Sequence, residues 1–176
     1  MLDEKRMNRV LEKLDTDQML ITDPCAIYYL TGRWIFAGER FLGLLIKKGQ
    51  KPILYLNELF RFDEDLGVTK KMITDTDSVA ELLKCDVDPN KALGVDKTLA
   101  ARFLLPMIDG AIASKFINGS LAVDHTRAIK DEEEIALLRE SSRINDLAMA
   151  EFKKLPKAGM TEIEIANQML DIYKKL

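Results

Sequence analysis

Four groupings in the 176-residue sequence carry side chains of the types that do chemistry. Asp124 beside His125 has the composition of an acid–base couple, and Asp131-Glu132-Glu133-Glu134 that of a metal site. Cys25 and Cys85 could form a redox pair, and Arg33-Trp34-Ile35-Phe36-Ala37-Gly38-Glu39-Arg40 concentrates two arginines, an acid and two aromatics in one segment. The first three have plainer explanations. Adjacent residues rarely aim at each other and no nucleophile accompanies the Asp-His couple, so it reads as an interdomain polar contact. The acidic run opens a helical pattern, where carboxylates complement the positive end of the helix dipole. The cysteines fall in different elements of a chain without a secretory signal, which predicts two buried free thiols. With one histidine and no Cys-x-x-Cys or His-Glu-x-x-His spacing, no zinc site of the usual kinds can be assembled. The arginine-rich segment reads as an exposed loop with unusual equipment. A guanidinium can grip a carboxylate through two parallel hydrogen bonds, and an aromatic ring can wall off an apolar group. The plainer alternative is that Trp34 and Phe36 pack the loop while its arginines are solvated or paired.

Composition narrows the classes further. Hydrophobic residues at 47% and charged residues at 31% are the balance of a globular domain and not of a disordered chain. A net charge of −3, with both signs spread along the length, leaves no basic stripe for a phosphate backbone, so nucleic acid is not an expected partner. No apolar run approaches the roughly 20 residues of a membrane span, and the opening MLDEKRMNRV is too charged for a signal peptide. The expectation is a cytoplasmic protein without a membrane partner.

The elements that must position the loop follow from periodicity. DEKRMNRVLEKLD spaces Met7, Val10, Leu11 and Leu14 as an amphipathic helix, and QMLIT is a short buried strand. Asp23-Pro24 caps and opens a short helix that Gly32 ends. After the loop, FLGLLIKK and ILYLN flank a Gly-centred turn, which predicts an antiparallel hairpin. KMITD, SVAELLKC, KALGVD, TLAARFLLPMIDG and ASKFING then alternate as strand and helix, implying an α/β fold with a mixed sheet and helices on its faces. Pro106 is expected to end or kink its helix, Asn118-Gly119 to make a turn, and Ala122–Lys130 to form a short polar passage.

From Asp131 onward the pattern is helical. Arg139 and Arg143 answer the acidic start from later turns, and Thr161 with Glu164 makes a capping box for a second helix. Ile135 and Leu138 lie along one stripe and Leu137, Ile144, Leu147 and Ala148 along another, more apolar surface than one small α/β layer can cover. Such a helix either packs back on the sheet or into a dimer, or it opens a second domain.

Taken together, Asp23-Pro24, Tyr29-Leu30-Thr31-Gly32, Gly94-Val95-Asp96, Arg127-x-Ile129-Lys130-Asp131-x-x-Glu134-Ile135 and Gly159-Met160-Thr161-Glu162 resemble, in order, the front half of the prolidase, aminopeptidase P and creatinase family. The resemblance spans essentially the whole chain. It implies a creatinase/prolidase-type N-terminal domain over residues 1–126 and, over 127–176, the truncated start of a pita-bread catalytic domain. It further implies a parent metallopeptidase, an Xaa-Pro dipeptidase, acting on a proline-containing dipeptide or peptide with two divalent metal ions such as Mn, Co or Zn. Those metals are held by two Asp, one His and two Glu of the pita-bread sheet, none of which this chain contains, so it is expected to bring no cofactor or catalytic residue and to be inactive alone. Its implied part is to form a homodimer and shape substrate access, with Arg33, Trp34, Glu39 and Arg40 as the access-loop residues. An Xaa-Pro aminopeptidase, a creatinase-type hydrolase and a non-catalytic α/β interaction domain are the alternatives; the short N-terminal domain favours the dipeptidase.

Overall fold

In a computed structural model describing residues 1–176, the apolar run Gln18–Ile21 is a strand, β1, with all four residues buried. It lies inside a six-stranded sheet formed with β2 (Leu42–Lys47), β3 (Ile53–Asn57), β4 (Thr69–Ile73), β5 (Ala92–Val95) and β6 (Lys115–Asn118). The spatial order is β4-β3-β2-β1-β5-β6. β2 pairs antiparallel with β1 and β3, while β3–β4, β1–β5 and β5–β6 are parallel, so β2 alone runs against the rest. The hairpin expected around Gly49 is present, with that glycine at φ +75°.

Strand alternation divides the apolar residues between two cores. Met19 and Ile21 of β1 join Leu44 and Ile46 of β2 in a layer covered by α1 (Glu4–Lys13), α2 (Pro24–Thr31) and α5 (Ser120–Ala128). Leu20, Leu45, Tyr55 and Leu93 face the other way, under α3 (Val79–Lys84) and α4 (Ala101–Asp109). These elements form one compact unit, Met1–Ala128. A second unit, Ile129–Leu176, holds α6 (Glu132–Phe152) and α7 (Glu162–Tyr173). Each of its helices opens with a reciprocal capping box, Asp131 with Glu134 and Thr161 with Glu164. Leu137, Leu138, Leu147, Ile163 and Leu170 remain exposed on them.

The parallel join of β1 and β5 is locked at its carboxyl end by Asp96. One oxygen of this buried carboxylate accepts the backbone N–H groups of Thr22 (2.6 Å) and Asp23 (2.8 Å). The other accepts the hydroxyls of Thr22 (2.6 Å) and Thr98 (2.9 Å) and the Thr98 N–H (3.2 Å). Asp23 in turn caps α2 through the N–H of Cys25 and receives Arg127 of α5 at 3.3 Å. The residues of three separate motifs, Asp23-Pro24, Gly94-Val95-Asp96 and Arg127, thus meet at one point. Gly94 and Gly119 make room beside it: a Cβ on Gly119 would stand 3.3 Å from the Gly94 Cα.

Four expectations require correction. Ser120–Ala128 is a helix and not a polar passage. The Asn118 side chain accepts the N–H of Ser120, and Ala122, Val123 and Thr126 give the segment a buried face. Pro106 does not end α4, which runs on to Asp109; proline forfeits only its own N–H, directed toward Arg102, while its carbonyl accepts the N–H of Gly110 at 2.9 Å. Cys25 and Cys85 are free but exposed, one in the first turn of α2 and the other capping α3. In α6, Arg143 pairs with Glu140 and not with the acidic first turn.

A polar cluster ties α3 to the sheet. The Asp86 carboxylate accepts the Tyr55 hydroxyl and the Lys71 ammonium (2.6 Å), and its backbone carbonyl accepts Lys47 (2.7 Å). Burial, which alone would push the Asp86 carboxyl up, is outweighed by the Lys71 and Tyr55 hydrogen bonds, leaving it below the usual carboxylate range. Burial and the neighbouring carboxylate raise the Tyr55 phenol far above its ordinary value.

Two outcomes are expected. A carboxyl whose pKa is lowered by folding stabilises the fold above its unfolded value of about 3.9, a contribution lost as pH falls through the folded value. A phenol raised by folding contributes fully below about pH 10 and loses that contribution at higher pH. In urea unfolding from about pH 2 to 11, Asp86→Asn therefore flattens the acid limb and Tyr55→Phe the alkaline limb. The second outcome concerns Gly43 of β2. A Cβ there would meet the Phe41 ring at 2.7 Å, and that buried ring is fixed edge-on against Tyr55 and Phe103. Gly43→Ala is expected to cost about 1–3 kcal/mol, read as a drop in Tm.

Candidate functional site

The segment between α2 and β2 is an irregular loop because its residues alternate in preference without a partner strand. Ile35 and Ala37 are buried and join the core beneath α1 and α2, whereas Trp34 and Phe36 are 52% and 75% exposed. At Gly38 the backbone adopts φ +58°, and the N–H of Arg40 reaches the carbonyl of Ala37 at 3.0 Å. Phe41 is then buried in the opposite core, against Tyr55 and Phe103. The loop therefore crosses the end of the sheet from one face to the other.

The four residues singled out in this loop divide into two pairs. Arg33 reaches Glu64 at 3.1 Å with its guanidinium 4.8 Å from the Phe62 ring centre, and Trp34 packs edge-on against Tyr28 at 6.0 Å between centroids. Arg40 faces the other way. Its Nε and Nη2 donate to the two oxygens of Asp75 at 2.9 and 3.1 Å, and Asn57 donates to the same carboxylate at 2.7 Å. Glu39 stands 3.8 Å from the far side of the Arg40 guanidinium. The Asp75 hydrogen bonds hold Arg40 above the ordinary arginine range, and Arg40, with a smaller share from Asn57, holds the Asp75 carboxyl below its own. Arg40 is thus engaged within the chain, in the paired arrangement of the plainer reading, while Trp34 keeps an open face.

Two concavities, of about 280 and 210 Å³, flank Glu39, Arg40 and Phe41. Both are also lined by Arg102 and Phe103 of α4, with the Arg102 guanidinium 4.8 Å from the Phe103 ring centre. Arg102 has no acidic partner, and sequence reasoning passed over it because it sits in an otherwise apolar helix. Asp75 was equally hidden, although it lies two residues past the end of β4, at the carboxyl edge of the parallel strands.

The other sequence candidates are structural. Asp124 pairs with Lys97 at 2.5 Å inside the Met1–Ala128 unit and so does not make the interdomain contact expected, and His125 is exposed beside it on α5. Asp131 and Glu134 cap α6. No three His, Cys, Asp or Glu side chains stand together in a way that could hold a metal ion, so the residues present do not fit a metal pair. No helix is long and apolar enough to cross a membrane.

Comparison with known proteins returns the creatinase/prolidase N-terminal domain over residues 5–129. An uncharacterized peptidase of Staphylococcus aureus (strain USA300) is 26% identical over 176 residues, covering 97% of this chain and 50% of the relative. The chain therefore spans about half the length of the curated relatives it matches. Among solved structures, the dipeptidase PepE from Mycobacterium ulcerans superposes with a TM-score of 0.83 at 22% identity, covering 98% of this chain and 49% of that one. The prolidase from Pyrococcus horikoshii OT3 does so with a TM-score of 0.77 at 22% identity, again over 98% and 49%.

The Arg40–Asp75 pair makes a direct prediction. In proton NMR near pH 5, where the lowered Asp75 carboxyl is still ionised, the Arg40 Nε–H exchanges with solvent more slowly than that of Arg102. Asp75→Asn brings the two to a similar rate.

Proposed function

Because this chain belongs to the creatinase/prolidase N-terminal domain family, we propose that it is the N-terminal portion, with the first catalytic-domain helices, of a metal-dependent Xaa-Pro dipeptidase. The observation that carries this reading is coverage: relatives described as peptidases align with 97% of this chain over only about half of their own length. The division into Met1–Ala128 and Ile129–Leu176 supports it; in this reading residues 127–176 open the catalytic domain.

In that reading two divalent metals, held by residues outside this chain, would supply the Lewis-acid chemistry for hydrolysing the bond before proline. Bound metals would polarise the scissile carbonyl and supply hydroxide at neutral pH. The residues here exclude and orient. The loop presents Trp34 and Phe36 outward from a backbone anchored by Ile35 and Ala37, giving a rigid apolar edge suited to a proline ring. Arg33, Glu39 and Arg40 give that edge its polar flank. The protein works as a cytoplasmic homodimer, each N-terminal unit shaping the approach to its partner's active site.

The experiment is an assay of this chain with Mn²⁺ and an Xaa-Pro dipeptide, together with translation of the reading frame beyond Leu176. The expected outcome is no turnover, and an onward frame encoding the carboxylate and histidine ligands. Turnover by the chain alone, or a frame lacking such ligands, overturns the proposal. Sedimentation velocity is expected to report a dimer or larger species, driven by exposed apolar residues such as Leu137, Leu138 and Ile163. A strict monomer at high concentration counts against the dimeric part.

A further inference from the structure

Chain reversal at the carboxyl ends of β1 and β5 creates a crevice. Leaving β1, the chain turns into α2 on one face of the sheet; leaving β5, it turns toward α4 on the opposite face. In open sheets with helices on both faces, that divergence is where an anionic ligand group is received, on backbone N–H groups at a helix start. Here the donors are in place. Two backbone N–H groups, from Thr22 and Asp23, point into the crevice, joined by the Thr22 and Thr98 hydroxyls and the Thr98 N–H. The group receiving them is the chain's own Asp96 carboxylate, 8% exposed.

We infer that Asp96 is a resident anion: the crevice between β1 and β5 is an oxyanion cradle that the protein fills with its own side chain, and a small carboxylate takes that place when the side chain is shortened. The donor set supports this on two counts. All five hydrogen bonds to Asp96 come from neutral donors, with no Lys or Arg among them, so the cradle holds negative charge by oriented dipoles alone. Both carboxylate oxygens are used, and an amide in the same place could accept through only one of its two terminal atoms. Arg127 places its guanidinium on the Asp23 carboxylate. In the intact protein these donors are already engaged by Asp96, and the Gly-Val-Asp motif serves the fold.

The test uses the full 176-residue chain. Asp96→Ala removes the carboxylate and leaves the donors, and Asp96→Asn keeps the volume while placing an NH₂ against them. Thermal unfolding of each is followed with sodium acetate or formate, against chloride at equal ionic strength. Asp96→Ala is expected to melt below wild type and to recover saturably, by roughly 3–6 °C once acetate reaches about ten times its dissociation constant. Wild type and Asp96→Asn are expected to respond to acetate as they do to chloride. Where Asp96→Ala does not fold without additive, acetate-dependent refolding that chloride does not reproduce is the supporting result. An Ala variant that acetate and chloride affect alike, or an Asn variant as stable as wild type, overturns the inference.

Discussion

One buried carboxylate with five donors fixes the geometry of the larger unit. β1 and β5 form the only strand pair joining the first four strands in the sequence to the last two, and Asp96 closes that join at its carboxyl end. The hydrogen bonds to Thr22 and Asp23 set where α2 begins, and those to Thr98 set the approach to α4. Through Asp23 the same point reaches Arg127, in the last turn of α5. Removing the Asp96 acceptor would leave the part-buried donors of Thr22, Asp23 and Thr98 unmatched together, and an unmatched donor costs more the less water reaches it. The requirement is therefore strict at several positions at once.

That strictness gives the Asp23-Pro24, Gly94-Val95-Asp96 and Arg127 motifs a common structural role. They are the residues on which the scaffold's angles depend. The loop proposed to face substrate is organised differently, by which of its side chains are anchored and which are not: Ile35, Ala37 and Phe41 hold it, while Trp34 and Phe36 project.

Most of the scaffold was legible in the sequence because its signals are local. Gly32 takes a left-handed conformation as the cap of α2, Thr161 and Glu164 form their box, and the strands Gln18–Ile21, Leu42–Lys47 and Ile53–Asn57 follow their apolar runs. α5 was missed because its helix rests on tertiary burial of three small or β-branched residues and on the Asn118 cap, against a composition that reads as polar. The site was less legible. Nothing in the spacing of Arg40 and Asp75 shows that they meet, since the contact depends on β2, β3 and β4 lying side by side. The same holds for Arg102, whose place beside the loop comes from the packing of Phe103 against Phe41.

The route of the loop from one core to the other has a mechanical consequence. A ribbon riveted into two separate apolar layers cannot swing as a hinged flap without extracting Ile35 and Ala37 on one side or Phe41 on the other. Its compliance is confined to rotations of the side chains between the rivets. In the proposed reading, any adjustment of this edge falls to rotamers of the exposed Trp34 and Phe36, on the nanosecond scale of exposed side chains and not the slower one of lid opening.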